Sequence, residues 1–199
     1  MTDFYEKKYA AYHKRTFLID PTPWLEPLAA RLARGSRILD VGCGSGRDLA
    51  WLKKRGYVVT GFERSSGLAT LARENAGCEV IEGDFATFDF LDMAMDVIAM
   101  SGALVHLPYA DFQGVFQNII GALANRPGPP FAPLISISLK EGRGVYRDPD
   151  GRTFYLWQDK ALRKIFSICG FIVLDFKRRP SALGSGDIWL SYLLEKQPG

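Results

Sequence analysis

Short apolar runs alternate along this chain with stretches in which apolar residues recur every three to four positions. The runs Arg37–Val41, Val58–Phe62, Cys78–Ile81, Asp96–Met100, Leu134–Leu139, Phe171–Phe176 and Ile188–Leu194 predict seven strands. Helical spacing predicts helices over Phe4–Phe17, Trp24–Arg34, Arg47–Arg55, Gly67–Ala76, Tyr109–Ala124 and Gln158–Cys169. Alternation of the two implies an α/β fold, a doubly wound parallel sheet with its ligand crevice outside the carboxyl ends of the strands. The last two strands have no helix between them and therefore predict an antiparallel hairpin. Asn125–Pro133, with Pro127, Gly128, Pro129 and Pro130, cannot be helical and reads as the loop before the fifth strand. No repeat or linker interrupts the pattern, so residues 1–199 read as one domain, with 1–35 an N-terminal helical segment and 36–199 the core.

The chemistry concentrates at Ile38 to Gly46, I-L-D-V-G-C-G-S-G. An apolar strand ends at Asp40 and breaks into glycines at 42, 44 and 46, after which helical spacing begins at Arg47. Glycines there let a ligand lie against bare backbone. A dinucleotide fingerprint has its third glycine one position later, and the P-loop requires a terminal G-K-[ST] that Gly46-Arg47-Asp48 lacks. An acid before the turn repels a diphosphate and suits a cation.

D-x-G-x-G-x-G after an apolar strand resembles the first motif of the class I S-adenosylmethionine-dependent methyltransferases of the small-molecule bacterial type. Three further segments stand where that family has them. Val58-Val59-Thr60-Gly61-Phe62-Glu63 ends in an acid about 20 residues downstream, the separation at which Rossmann-type folds present a carboxylate to ribose hydroxyls. Val80-Ile81-Glu82-Gly83-Asp84-Phe85 matches the adenine segment, and Asp96 to Pro108 resembles the fourth strand and its following loop. Each segment alone has a structural reading, a capped loop or a plain turn; their joint order carries the inference.

The resemblance implies a Rossmann-like sheet of order 3-2-1-4-5-7-6 with strand 7 antiparallel, and S-adenosyl-L-methionine as cofactor. Asp40, Gly42, Cys43, Gly44 and Arg47 would line its methionine side, with Ser101 and Gly102 offering backbone to the amino acid portion. Glu63 and Arg64 would take the ribose, and Asp84 and Phe85 the adenine. The N-terminal Tyr5-Glu6-Lys7-Lys8-Tyr9-Ala10-Ala11-Tyr12 resembles the aromatic Y-D-x-x-A-x-x-Y segment of small bacterial methyltransferases, which makes Tyr12 and Arg15 candidates for the methionine carboxylate. The alternative is that Phe4, Tyr5, Tyr9, Tyr12 and Phe17 form the apolar face of a docking helix.

Methyl transfer from a sulfonium is an in-line displacement that needs alignment above all, and a base only for hydroxyls or protonated amines. His106, on the loop after the fourth strand, is the candidate base. Beyond the fifth strand, Lys140, Arg143 and Arg152 sit in K-x-G-x-G-like and D-x-x-G-R-x-F-like segments, where they are candidates to pair an acidic acceptor. Met100-Ser101-Gly102-Ala103 replaces the [DNS]-P-P-[YF] element of amino-methylating DNA enzymes, and no trio of metal ligands can be assigned. A small-molecule O or N acceptor is the preferred substrate.

Composition agrees. The 199 residues are 47% hydrophobic and 24% charged, enough for a substantial core, and a net charge of +3 without a dense basic stripe argues against nucleic acid. Cys43, Cys78 and Cys169 are widely spaced, which suits reduced thiols in the cytoplasm. The N-terminus lacks an apolar signal core and no run is long enough to span a bilayer. Two readings compete with the methyltransferase: a nicotinamide-dependent oxidoreductase on a related fold, and a non-catalytic S-adenosylmethionine-binding regulator. The oligomeric state is not encoded in any motif.

Overall fold

The structure, a computed structural model, describes residues 4–91, 93–123 and 132–197. Its elements in chain order are helices α1 (Phe4–Thr16) and α2 (Thr22–Ala29), strand β1 (Arg37–Val41), α3 (Arg47–Lys54), β2 (Val58–Glu63), α4 (Ser66–Ala76), β3 (Glu79–Glu82) and β4 (Val97–Ser101). A 3₁₀ turn (Ala103–His106) leads to α5 (Tyr109–Ile120), β5 (Leu134–Lys140), β6 (Val145–Arg147), β7 (Thr153–Tyr155), α6 (Asp159–Ile168), β8 (Phe171–Pro180) and β9 (Ile188–Lys196).

Seven strands pair in the order β3-β2-β1-β4-β5-β9-β8, parallel except for β9 against β5 and β8. Once β6 and β7 are set aside as a separate two-stranded ladder, this is the expected 3-2-1-4-5-7-6 topology. The polar stretch after β5 is thus an ordered hairpin; its outer face is exposed, so it lacks the apolar run that marks a sheet strand. β1 is buried almost throughout, and alternation splits it between two cores: Ile38 packs with Leu25, Leu49 and Ala72, whereas Leu39 and Val41 pack with Phe112 and Phe116.

Several boundaries move for identifiable reasons. Helix α2 stops five residues before the predicted Arg34, because Arg31 and Leu32 donate to Leu28 and Ala29, tightening the last turn to i→i−3 bonds. Helix α5 stops at Ile120, where Ala122 and Leu123 tighten likewise and the Ala122 carbonyl accepts from Met95 at 2.7 Å. Strand β8 runs past the predicted Phe176, its basic residues Lys177, Arg178 and Arg179 still paired in register with β9. Those charges on an edge strand discourage pairing with another chain. Of the predicted Asn125–Pro133 loop only Ala132 and Pro133 are among the described residues.

The β1–α3 turn is set by its glycines for different reasons. A Cβ on Gly46 (φ +85°) would stand 2.8 Å from the Ala72 Cα of α4, so this glycine is required by helix packing and not by a ligand. Gly46→Ala is expected to cost about 1–3 kcal/mol in urea unfolding, from strain plus overpacking. Gly35→Ala, also at positive φ (+82°) but with nothing within 4 Å of the added carbon, should cost distinctly less. Equal losses would refute the packing argument.

Candidate functional site

The carboxyl ends of β1, β2 and β4 open onto a cavity of 460 Å³, roofed by α1 and walled in part by Tyr5, Tyr12, Gly44, Glu63, Phe85 and His106. A Cβ on Gly42 would meet the Ala103 Cβ at 2.6 Å, so its bareness admits the loop after β4. Gly44 (φ +56°) is different. A Cβ there would point toward Tyr12 at 3.6 Å, into the gap between the turn and α1. Of the three glycines, Gly44 supplies the cradle.

Glu63, at the end of β2, is buried and accepts three backbone N–H bonds of 2.9 Å, from Gly44, Arg64 and Ser65. Burial pushes its pKa up while those three donors pull it down, with a net rise. Ser65 caps α4 through its Oγ, accepting from Leu68, and donates to the Tyr5 carbonyl at 3.2 Å. The Glu6 carboxylate accepts from the Ser66 amide at 3.0 Å and from its hydroxyl at 2.7 Å. A negative side chain at that helix N-terminus is well placed electrostatically, and it fastens α1 over the cavity.

Beside the main cavity lies a smaller chamber lined by Asp40, Cys43, Arg47, Tyr12 and Thr16 among others. Arg47 donates to Asp48 at 2.6 Å and stacks over Trp24 at 4.7 Å, while Trp24 donates to the second Asp48 oxygen at 3.0 Å. The guanidinium is thereby held in place. Asp40 is buried, and its Oδ2 has no hydrogen-bond partner among the described residues. Burial, with the neighbouring Asp48 adding to it, pushes the Asp40 pKa well above the ordinary carboxylate range.

On the opposite wall, His106 Nδ1 lies 2.6 Å from the Thr153 carbonyl and its Nε2 lies 2.8 Å from the Tyr5 hydroxyl. A carbonyl only accepts, so Nδ1 carries the proton and Nε2 accepts from Tyr5. Burial, helped by Arg152 and Lys140, lowers the His106 pKa and keeps the ring neutral at pH 7. Lys140 is buried in an ion pair with Asp187 at 2.8 Å, and Arg152 pairs with Asp148 at 2.6 Å.

The structure gathers Asp40, Gly42, Cys43, Gly44, Arg47, Glu63, Arg64, Phe85, Ser101, Gly102, Tyr12 and His106 around these two adjoining spaces. Of the three residues expected near the acceptor, Arg152 stands just behind the wall in hydrogen-bond contact with the Tyr5 side chain, Lys140 lines neither space, and Arg143 is exposed in the bend between β5 and β6. Arg15 is exposed and lines neither space, being on the outer side of α1. Asp84 sits just beyond the wall, its Oδ1 closing a turn with the Ala86 amide and its Oδ2 3.4 Å from Arg64. Tyr5, Glu6, Ser65 and Ser66 were not among the expected site residues. Tyr5 was recoverable, since it stands seven positions from Tyr12, the spacing of one helical face, and although α1 is kinked at Lys8 the two rings meet edge-on at 5.1 Å.

A family model described as a methyltransferase domain matches residues 38–126. An uncharacterized methyltransferase from Geobacillus sp. is 30% identical over 152 residues, covering 70% of this chain and 71% of that protein. The chain belongs to the methyltransferase family. The chain is also 38% identical to the methyltransferase GfsG of Streptomyces halstedii over 89 residues, 43% of this chain, and it spans only 28% of that relative's length. Among solved structures, 1,6-didemethyltoxoflavin-N1-methyltransferase of Burkholderia thailandensis, bound to 1,6-didemethyltoxoflavin and S-adenosylhomocysteine, superposes with a TM-score of 0.76 at 20% identity, over 96% of this chain and 85% of that one. A methyltransferase from Methanosarcina mazei gives 0.74 at 18%, over 87% and 98%. These likenesses establish the fold. No helix among the described residues is long and apolar enough to cross a membrane.

Asp40 Oδ2, without a hydrogen-bond partner among the described residues, makes stability depend on pH. The folded Asp40 pKa lies above the unfolded one, so its stabilising proton is present below about pH 4 and is lost as pH rises through the folded value. Asp40→Asn should therefore raise the thermal midpoint near neutrality, by about 2–4 °C for each 1 kcal/mol relieved. The gain should shrink toward pH 4. A gain independent of pH would show that Asp40 is not held in an uncompensated state.

Proposed function

We propose that the chain transfers a methyl group from S-adenosyl-L-methionine to an oxygen or nitrogen of a small molecule, and that residues 1–199 act as one unit in which 1–35 cover the core at 36–199. One observation supports this most: a bare backbone bend at Gly44 faces a cavity that also receives a buried carboxylate with spare accepting capacity, Glu63. The donor set fits the cofactor. Its bound sulfonium would supply a methyl already attached to a good leaving group.

In this reading Glu63 accepts from the ribose hydroxyls through Oε2, which holds one of the three backbone bonds while Oε1 holds two. Arg47, fixed by Asp48 and Trp24, takes the methionine carboxylate together with Tyr12, and Asp40 supplies the negative charge beneath the cationic end. Phe85 covers the adenine. Asp84 joins it by releasing Arg64, at little cost because an ion pair that exposed contributes about 0–1 kcal/mol. Ser101 and Gly102, which line the cavity, offer backbone to the amino acid portion. Proximity and orientation then supply roughly 7–11 kcal/mol of barrier lowering.

Titration calorimetry with S-adenosylmethionine, S-adenosylhomocysteine and NAD tests the reading. Binding of both sulfur nucleosides without NAD is expected, and a preference for NAD would overturn it. Glu63→Ala should weaken S-adenosylhomocysteine binding by about 1–3 kcal/mol, roughly 5- to 150-fold. Gly44→Val should abolish binding, since its side chain would enter the gap below Tyr12. Unchanged affinity in both variants would remove the cavity from consideration as the cofactor site.

A further inference from the structure

We propose that the Tyr5 hydroxyl and the His106 imidazole form a proton relay, and that the acceptor is a neutral molecule bearing a phenol- or enol-type hydroxyl. This rests on the methyltransferase reading and adds to it the acceptor class and the destination of its proton.

Three features carry the inference. First, Tyr5 and His106 line the cavity next to Gly102 and Ala103, where the acceptor would approach. Second, their hydrogen bonds form a directed chain: Tyr5 donates to Nε2 at 2.8 Å, and Nδ1–H donates to the Thr153 carbonyl at 2.6 Å. The free lone pair of imidazole thus faces the cavity only through the Tyr5 oxygen. Third, the cations on this side are already matched. Lys140 holds Asp187, Arg152 holds Asp148, and both flank Phe154, whose ring packs against His106 at 4.5 Å. Arg152 also hydrogen-bonds the Tyr5 side chain, so the donors of both cations are engaged within the protein and brace the Tyr5–His106 pair.

A carboxylate or phosphate acceptor would have to break one of those pairs, whereas a hydroxyl needs only a proton acceptor. In the transfer, the acceptor oxygen forms a bond to the methyl carbon as the carbon–sulfur bond breaks, its electron pair remaining on sulfur. The hydroxyl proton passes to the Tyr5 oxygen while the Tyr5 proton passes to His106 Nε2. The products are a methyl ether, a neutral thioether and an imidazolium, so the positive charge moves from sulfur to His106.

The groups facing His106 are Tyr5 from α1, Lys140 from β5, and Arg152 and Asp148 from the hairpin; those facing Tyr5 are Tyr12, Arg152 and Glu63. Burial dominates at both, raising Tyr5 and lowering His106. The relay is therefore open at neutral pH and closes on acidification, below the ordinary histidine range.

The test combines a turnover panel with a spectroscopic one. With S-adenosylhomocysteine affinity confirmed for wild type, Tyr5→Phe and His106→Asn, labelled-methyl transfer is measured to phenols, enols, amines and carboxylic acids. Phenols or enols should be methylated, and both variants should lose about 100-fold in kcat/KM at unchanged nucleoside affinity. A nitrophenol supplied above its own ionisation should be far less sensitive to Tyr5→Phe, a contrast that a purely structural role would not produce. The acidic limb of the wild-type pH profile should disappear in His106→Asn. In ¹⁵N NMR, His106 should be the neutral Nδ1–H tautomer at pH 7, and Tyr5→Phe should shift Nε2. Methylation of acids or amines in place of hydroxyls, silence toward phenols and enols with nucleoside binding intact, or an Nε2–H tautomer would each overturn the relay. Loss of nucleoside binding by the wild type would instead overturn the underlying methyltransferase reading.

Discussion

Three backbone amides from both sides of the crevice converge on one carboxylate, that of Glu63. Gly44 belongs to the turn after β1, while Arg64 and Ser65 open the connection to α4. Buried amide groups without partners are costly, and a charged acceptor satisfies them more strongly than a neutral one. Glu63 therefore sets the height of the glycine turn against β2 and the position at which α4 begins. Helix α1 docks on that start through Ser65 and Glu6, which brings Tyr5 and Tyr12 over the cavity. The roof of the site depends on the same carboxylate that lies in its floor.

This arrangement separates what the residue pattern reveals from what it hides. The strands and the closing hairpin were legible because parallel strands buried on both faces are continuous apolar runs and because the last two runs had no helix between them, while the strand order followed from the family resemblance. The glycine turn and the acids at strand ends were legible because backbone conformation and topology tie them to fixed spacings. Gly46 was misread as a ligand position, since a glycine forced by a neighbouring helix backbone has the same one-letter signature as one facing a ligand.

The acceptor side was hardest to read. Lys140 and Arg152 look free in the sequence, but their carboxylate partners are Asp187, 47 residues away across the sheet, and Asp148, across a turn. The Lys140 pair joins distant segments and leaves no local pattern, whereas Asp148 stands only four residues from Arg152, inside the D-x-x-G-R-x-F segment itself. Tyr5 was overlooked in favour of Tyr12 although the two stand at helical spacing, because its hydrogen-bond partner His106 is 101 residues away. Side chains that act through a remote partner are visible only once the fold has brought them together.

The distribution of charge that results is asymmetric. Around the glycine turn, Asp40 and Glu63 are buried carboxylates, the first with an oxygen unpartnered among the described residues, so a cation arriving there would relieve a penalty of burial. Across the cavity, Lys140 and Arg152 are each neutralised, and the wall presents a hydroxyl and a neutral imidazole. A sulfonium is attracted to the first side, while the second has no charge that competes for it. In the proposed transfer the sulfur becomes neutral as the methyl leaves, and its share of the attraction toward these acids falls away. What would then remain of the nucleoside is a net-neutral zwitterion with its ammonium and carboxylate unchanged, so the electrostatics that favour the sulfonium in the proposed reaction hold its product less strongly.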